Sequence, residues 1–259
     1  MGQVPQHFID LAHRLADASR PILRSYYRRK LAVDIKADAS PVTKADREAE
    51  TAIRRLINAT FPEHGIFGEE FGKEREDAEF VWVLDPLDGT RAFVTGRPTF
   101  GTLISLTREG APLLGVIDMP VLNDRWIGAV GQPTTLNGEQ VSARACGALG
   151  DAYLSASNPL VFDTPEKRLK FEAVQAKSRA TTFGGDCYQY GMVATGFLDI
   201  VIECSLVEYD YLALSPIIEG AGGKITDWLG NGLKMGSGDR VVATGDARVH
   251  GEALALLAG

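Results

Sequence analysis

The chain has 259 residues, 45% hydrophobic and 24% charged, an ordinary globular composition long enough to bury a large core. A formal net charge of -7 and a sequence pI near 5.2 speak against an electrostatic nucleic-acid binder, although divalent cations can reverse the local sign of an acidic site and admit an anionic substrate. Three scattered cysteines, Cys146, Cys187 and Cys204, make neither a disulfide framework nor a zinc site; they read as buried reduced thiols and fit a cytoplasmic protein.

The N-terminal stretch carries charges throughout and no uninterrupted apolar core, so neither a signal peptide nor a membrane span is expected. Phe8, Leu11, Ala12, Leu15, Ile22, Leu23 and Tyr26 recur at helical spacing and predict a first amphipathic helix, with Pro21 as a point of bending. Residues 37–41 read as a loop. Thr43 then looks like an N-cap, with Asp46 three places on, and Ala49, Ile53, Leu56 and Ile57 carry a second helix to Phe61-Pro62.

The short apolar run Phe80-Val81-Trp82-Val83-Leu84 predicts a buried strand that ends on Asp85. Runs at 103–106, 113–117 and 126–130, separated by turn-rich segments, predict an antiparallel meander. The second half alternates, with strands expected at 152–156, 180–183, 198–203, 223–227 and 240–244. Helices are expected at 164–177, 187–195, 209–221 and 247–257. A break near 135–150 suggests an N-terminal α+β subdomain, 1–140, and a C-terminal α/β subdomain, 141–259, in one compact unit of mixed class.

Three acidic places stand out: Gly68-Glu69-Glu70, the segment Asp85-Pro86-Leu87-Asp88-Gly89-Thr90, and Asp210. In the middle one a strand delivers Asp85, Pro86 fixes a turn and donates no hydrogen bond, and Gly89 permits an unusual backbone angle. Two carboxylates across such a turn can converge on one point, and carboxylate and carbonyl oxygens are what magnesium prefers beside phosphate. Thr90 and the amides after it could open a helix, a ready anion cradle. The residues also have plainer readings. D-x-x-D-G is a common solvated turn, Asp46 suits a capping box, and Thr90 suits an N-cap.

At these residues the sequence resembles the inositol monophosphatase superfamily. The pieces that carry the resemblance are Gly68-Glu69-Glu70, then Trp82 through Thr90, and Tyr209-Asp210 followed by Gly220-Ala221-Gly222-Gly223, in matching order along nearly the whole chain. The resemblance implies an α+β fold, the αβαβα layered sandwich of this superfamily. It also implies hydrolysis of a small phosphate monoester with two or three magnesium ions per site, manganese being an alternative. Glu69, Asp85, Asp88 and Asp210 become carboxylate ligands, and the Leu87 carbonyl a further one. Asp46 and Thr90 match the pair that orients and deprotonates the attacking water. The amides of Gly89 and Thr90 match a phosphate cradle. The family also implies a homodimer.

Within the superfamily the resemblance is nearest to histidinol-phosphate phosphatases. It rests on Asp88 through Pro98, Gly185-Asp186-Cys187-Tyr188-Gln189-Tyr190, and Val201-Ile202-Glu203 with Glu208 through Leu214. Arg91-Ala92-Phe93 and Tyr209 stand where inositol phosphatases usually carry Thr-Asn-Phe and Trp. Asp186 and Glu203 would offer negative partners to the ammonium and imidazole of histidinol, with Arg91 at the substrate as well. Asp186 also reads as a helix N-cap, Glu203 as a solvated strand end, and Arg91 and Arg97 as surface residues. Inositol 1-phosphate or a broad range of small phosphate esters is the alternative substrate.

Overall fold

The computed structural model describes residues 3–29, 34–35, 41–42 and 44–258. Helix α1 (Gln6–Tyr26) is followed by the paired short strands β1 (Asp34–Ile35) and β2 (Pro41–Val42), then α2 (Lys44–Thr60). Thr43, expected as the α2 cap, and residues 37–40 of the loop expected at 37–41 lie outside the described residues, while Pro41 belongs to β2. Next come β3 (Gly65–Gly68), β4 (Gly72–Glu74), β5 (Phe80–Asp88), the short helix α3 (Thr90–Val94), β6 (Gly101–Arg108), β7 (Ala111–Met119), β8 (Asp124–Ala129), β9 (Thr135–Leu136) and β10 (Glu139–Gln140). They form an eight-stranded sheet in the order β10-β9-β8-β7-β6-β5-β3-β4. The meander β6 to β8 is antiparallel as expected, β5 pairs antiparallel with β6, and β3 runs parallel to β5.

The second half comprises β11 (Tyr153–Ala156), α4 (Pro165–Gln175), β12 (Ala180–Phe183), α5 (Cys187–Ala194), β13 (Ile200–Glu203), α6 (Glu208–Tyr211), α7 (Leu214–Gly220), β14 (Lys224–Thr226), β15 (Val241–Thr244) and α8 (Ala247–Leu257). Its five strands lie in the order β12-β11-β13-β15-β14.

The alternation of β5 explains the layering. Trp82 and Leu84 face α1 and α2, packing with Leu11, Leu15, Ile53 and Ile57. Val81 and Val83 face the other way, into a core shared with Tyr190 and Val193 of α5, Ile217 of α7, and Val201 and Val241 of the smaller sheet. The far face of that sheet is covered by α4 and α8 through Phe171, Val174, Val249 and Leu257. The order is therefore helix, sheet, helix, sheet, helix, the expected αβαβα sandwich. A strand buried on both faces needs a continuous apolar run, which is what Phe80 to Leu84 supplies.

Three elements differ from expectation. Strand β5 runs on past Asp85 to Asp88. The single helix expected over 209–221 is two, α6 and α7, because Pro216 has no N–H to donate to the Leu212 carbonyl one turn back. The break at 135–150 contains the β9–β10 hairpin, turned by Asn137-Gly138, a dipeptide favoured in two-residue hairpin turns. Among the described residues no helix is long and apolar enough to cross a membrane. All three cysteines are buried and unpaired, as expected.

Candidate active site

The acidic residues meet where strands of both sheets end. Parallel pairing of β3 and β5 sets Gly68 beside Leu84, and the Glu69 amide continues the ladder to the Leu84 carbonyl (3.1 Å). Glu69 and Asp85 thus leave neighbouring strand ends side by side. Residues an odd number apart on a regular strand face opposite sides, so Asp85 and Asp88 should diverge. A register shift prevents this: Asp85 pairs with Leu103 and Asp88 with Gly101, so three steps on β5 oppose two on β6. The bulge is held by the Leu87 amide donating to Asp85 Oδ1 (2.9 Å) and by Thr102 Oγ1 donating to the Pro86 carbonyl (2.9 Å).

Beyond it Gly89, at φ 78°, turns the chain into α3, whose first residue is Thr90. Gly89 rather than Thr90 occupies the cap position, and Thr90 Oγ1 donates to the Leu87 carbonyl (3.1 Å). The amides of Gly89 and Thr90 lie in the opening turn, where helix N–H groups have no intrahelical acceptor.

Asp210 belongs to the first turn of α6, and its Oδ2 accepts the Val207 amide (2.7 Å). Asp88 Oδ2 accepts the Cys187 amide at the start of α5 (2.6 Å). Two sets of carboxylate oxygens result, each within 4.8 Å of one another: Asp46, Glu69 and Asp85, and Asp85, Asp88 and Asp210. Asp85 is common to both. An all-oxygen, all-anionic donor set converging on two adjacent points fits hard divalent cations such as magnesium.

Electrostatics agree with that fit. Burial pushes the Asp85 carboxyl well above the usual carboxylate range, with Glu69, Asp88, Asp210 and Asp46 adding to the effect. Burial, with Asp210 next, pushes Asp88 up to about 7. Asp210 is also raised to about 7, first by burial and then against the Val207 amide, which favours its charged form. Carboxylates crowded in this way repel one another, and a bound cation reverses the balance.

Beside the cluster is a cavity of about 240 Å³ lined by Arg91, Arg97, Ser157, Gly184 and Asp186. Asp186 is the cap residue of α5 yet makes no side-chain cap; its backbone sits at φ 44°, ψ -139°, a region almost confined to glycine. Its carboxyl lies against Gly89, 3.1 Å from where a Cβ there would stand. Burial, then Asp88 and Glu203, raise its pKa to about 8, while Arg91 and Arg97 pull it down. Both arginines are exposed. Glu203 is buried at the end of β13, not solvated. It accepts the Ser157 amide (2.8 Å) and the Tyr190 hydroxyl (3.1 Å), and burial raises its pKa against those donors.

No role is expected from the sequence for the residues around these groups, although Gln189 and Tyr190 lie in the 185–190 segment that carries the resemblance. Ser157, Gln189 and Tyr190 surround Glu203, with Gln189 Nε2 donating to Ser157 Oγ (3.0 Å). Glu50 and Arg54 back the Glu69 turn. A signal for that pair existed: an oppositely charged i,i+4 pair set into the apolar stripe Ala49, Ile53, Ile57 of α2.

The sequence profile described as the inositol monophosphatase family matches residues 4–258. A bifunctional phosphatase, IMPL2, of the Arabidopsis thaliana chloroplast is 46% identical over 96% of this chain and 75% of its own. A histidinol-phosphatase of Chlorobaculum parvum is 36% identical over 86% of each chain. Among solved structures, an inositol monophosphatase from Zymomonas mobilis superposes with a TM-score of 0.91 at 46% identity, covering 98% of both chains.

Proposed function

The chain belongs to the inositol monophosphatase family, and from that premise we propose that it hydrolyses L-histidinol phosphate to L-histidinol and inorganic phosphate with magnesium. The coarser statement needs no proposal: it is a hydrolase of phosphoric monoesters. One observation carries the substrate. Asp186 lines the cavity beside the α3 amides, so an ester whose phosphate rests on Gly89 and Thr90 meets a carboxyl next to its organic half. An amino alcohol brings a cation that favours the ionised form of that carboxyl and pairs with it, whereas a polyol brings only hydroxyls.

In this reading Glu69, Asp85, Asp88, Asp210 and the Leu87 carbonyl hold the metal. Bound magnesium supplies Lewis-acid activation of water and neutralises phosphoryl charge. The chain's own groups do the rest. Thr90 Oγ1, already donating to the Leu87 carbonyl, presents lone pairs to the attacking water, and Asp46 receives its proton. The N–H groups of Gly89 and Thr90 face charge that grows on the phosphoryl oxygens. Water oxygen bonds to phosphorus as the P–O bond to the alcohol breaks; the departing alkoxide takes a proton from a solvent water, and Asp46 returns the proton it received to solvent. Glu203, held by Ser157 and Tyr190, adds negative potential behind Asp186.

The test is Asp186→Asn assayed on two esters. It is expected to lower kcat/KM for histidinol phosphate by about 100-fold, the scale of one buried charge-assisted contact, and to leave inositol 1-phosphate nearly unchanged. Equal losses on both esters would contradict the assignment of Asp186 to the cation. The 46% identical bifunctional relative keeps a second reading in play, a broader phosphatase, which the same pair of esters discriminates.

A further inference from the structure

We infer that Glu50 is a positioning residue for the Asp46–Glu69–Asp85 half of the acidic centre, an inference that rests on reading that centre as a metal site. Helix α2 carries Asp46 and Glu50 four residues apart, hence on one face. Asp46 joins the carboxylate cluster; Glu50, fully buried, reaches the turn that bears Glu69. Its Oε2 accepts the Glu70 amide (2.8 Å) and its Oε1 the Phe71 amide (3.3 Å). Arg54, one helical turn on, donates from Nε to Glu50 Oε1 (2.7 Å), from Nη2 to the Gly72 carbonyl (2.5 Å) and from Nη1 to Glu74 (2.7 Å). The pair therefore grips amides and a carbonyl of one turn at once.

The fit leaves no slack. A Cβ at Gly68 would lie 2.0 Å from Glu50 Oε1, so only glycine lets the strand pass this carboxylate. Glu69 follows Gly68 directly and is anchored on its other side by the Leu84 carbonyl, next to Asp85. Helix α2 thus places two members of the Asp46–Glu69–Asp85 set, Asp46 by bearing it and Glu69 by clamping its backbone. Asp88 and Asp210 hang on other elements, β5 and α6, with their own amide donors from Cys187 and Val207. Loss of the Glu50 clamp should loosen one half of the centre and spare the other.

The experiment is a Mn²⁺ titration of the full chain without substrate, following free and bound ion by electron paramagnetic resonance. Glu50→Gln keeps the side-chain volume but turns one acceptor oxygen into an NH₂ facing a donor. One class of Mn²⁺ sites is expected to weaken by about 10–100-fold, the usual effect of removing an outer-shell support, while the rest stays within about two-fold. Leu257→Ala, remote in the α4–α8 layer, is expected to lower thermal stability without moving either class. Unchanged Mn²⁺ affinity in Glu50→Gln overturns the inference, as does uniform weakening of every class. If wild-type protein itself binds no Mn²⁺, the metal reading fails instead. Should Glu50→Gln not fold, Arg54→Lys decides: it keeps a cation beside Glu50 but loses the fork to Gly72 and Glu74. The same class is then expected to weaken several-fold, and unchanged affinity overturns the inference.

Discussion

Asp85 ends a wholly apolar run, accepts an amide two residues on, and stands within reach of four other carboxyl groups. Such a residue is costly to the fold without a cation, because burial and like charges both oppose its ionised form. Asp85→Asn removes the charge while keeping the shape and the acceptor for the Leu87 amide. Its expected effect is a loss of phosphatase activity on the order of 10³-fold together with a metal-free protein more stable by about 1–2 kcal/mol. Activity assays and urea unfolding under chelator read the two halves, and retained turnover would remove Asp85 from the centre. Asp186 carries a similar tension in its backbone, at φ 44°, where a residue is held only by its surroundings.

Elements show why some of the site was legible in the sequence and some was not. Strand β5, α1, α2 and α8 were readable because a continuous or 3.6-periodic apolar pattern has one cheap solution. Strands β3 and β4 have four and three residues, too few for periodicity, so the hairpin that presents Glu69 was invisible as structure even though Glu69 stood out as chemistry. The β5 bulge was equally hidden, since register belongs to the pairing with β6 and not to β5 alone. The Pro216 break could have been read from the missing N–H. Behind Glu69 the buried i,i+4 pair Glu50 and Arg54 left a signal of its own, whereas the shell around Glu203 left none, because Ser157 and Tyr190 come from other segments.

Helix α8 offers its own test. His250 Nε2 faces Thr226 Oγ1 (2.9 Å), whose proton goes to the Asp227 carbonyl (2.7 Å), so Nε2 donates and Nδ1 accepts from Thr244 Oγ1 (3.1 Å). That network holds a neutral ring. Burial, with help from Lys224, lowers its pKa from 6.5 to about 4. The unfolded chain takes up the proton first as pH falls, so the contribution is complete above pH 6.5 and lost progressively down to about 4. Urea unfolding across that window is expected to fall more steeply in wild type than in His250→Gln; parallel curves would show that His250 does not titrate there.

At the scale of the molecule, the two sheets are one construction sharing the α5–α7 layer, and the acidic centre sits at their junction. The first helix is locked to the larger sheet by a charge network around a buried carboxylate. Asp118, fully buried, accepts Arg20 (2.5 Å) and Arg125 (2.6 Å), and Arg125 reaches Asp17 on α1 (2.7 Å). The carboxylates pull the other way: the centre is assembled against its own repulsion by amides from β5, α5 and α6. A cation bound there adds stability as well as chemistry, so magnesium is expected to raise Tm in proportion to ln(1 + [Mg]/Kd).

The most direct measurement is the release of phosphate by the purified full chain from histidinol phosphate and from inositol 1-phosphate, each with magnesium and with excess chelator. The expected result is turnover that disappears under chelator and returns with magnesium, with kcat/KM at least about 100-fold higher for histidinol phosphate, the discrimination of one buried ion pair. Turnover indifferent to chelator would contradict the metal centre. Faster hydrolysis of inositol 1-phosphate would contradict the substrate.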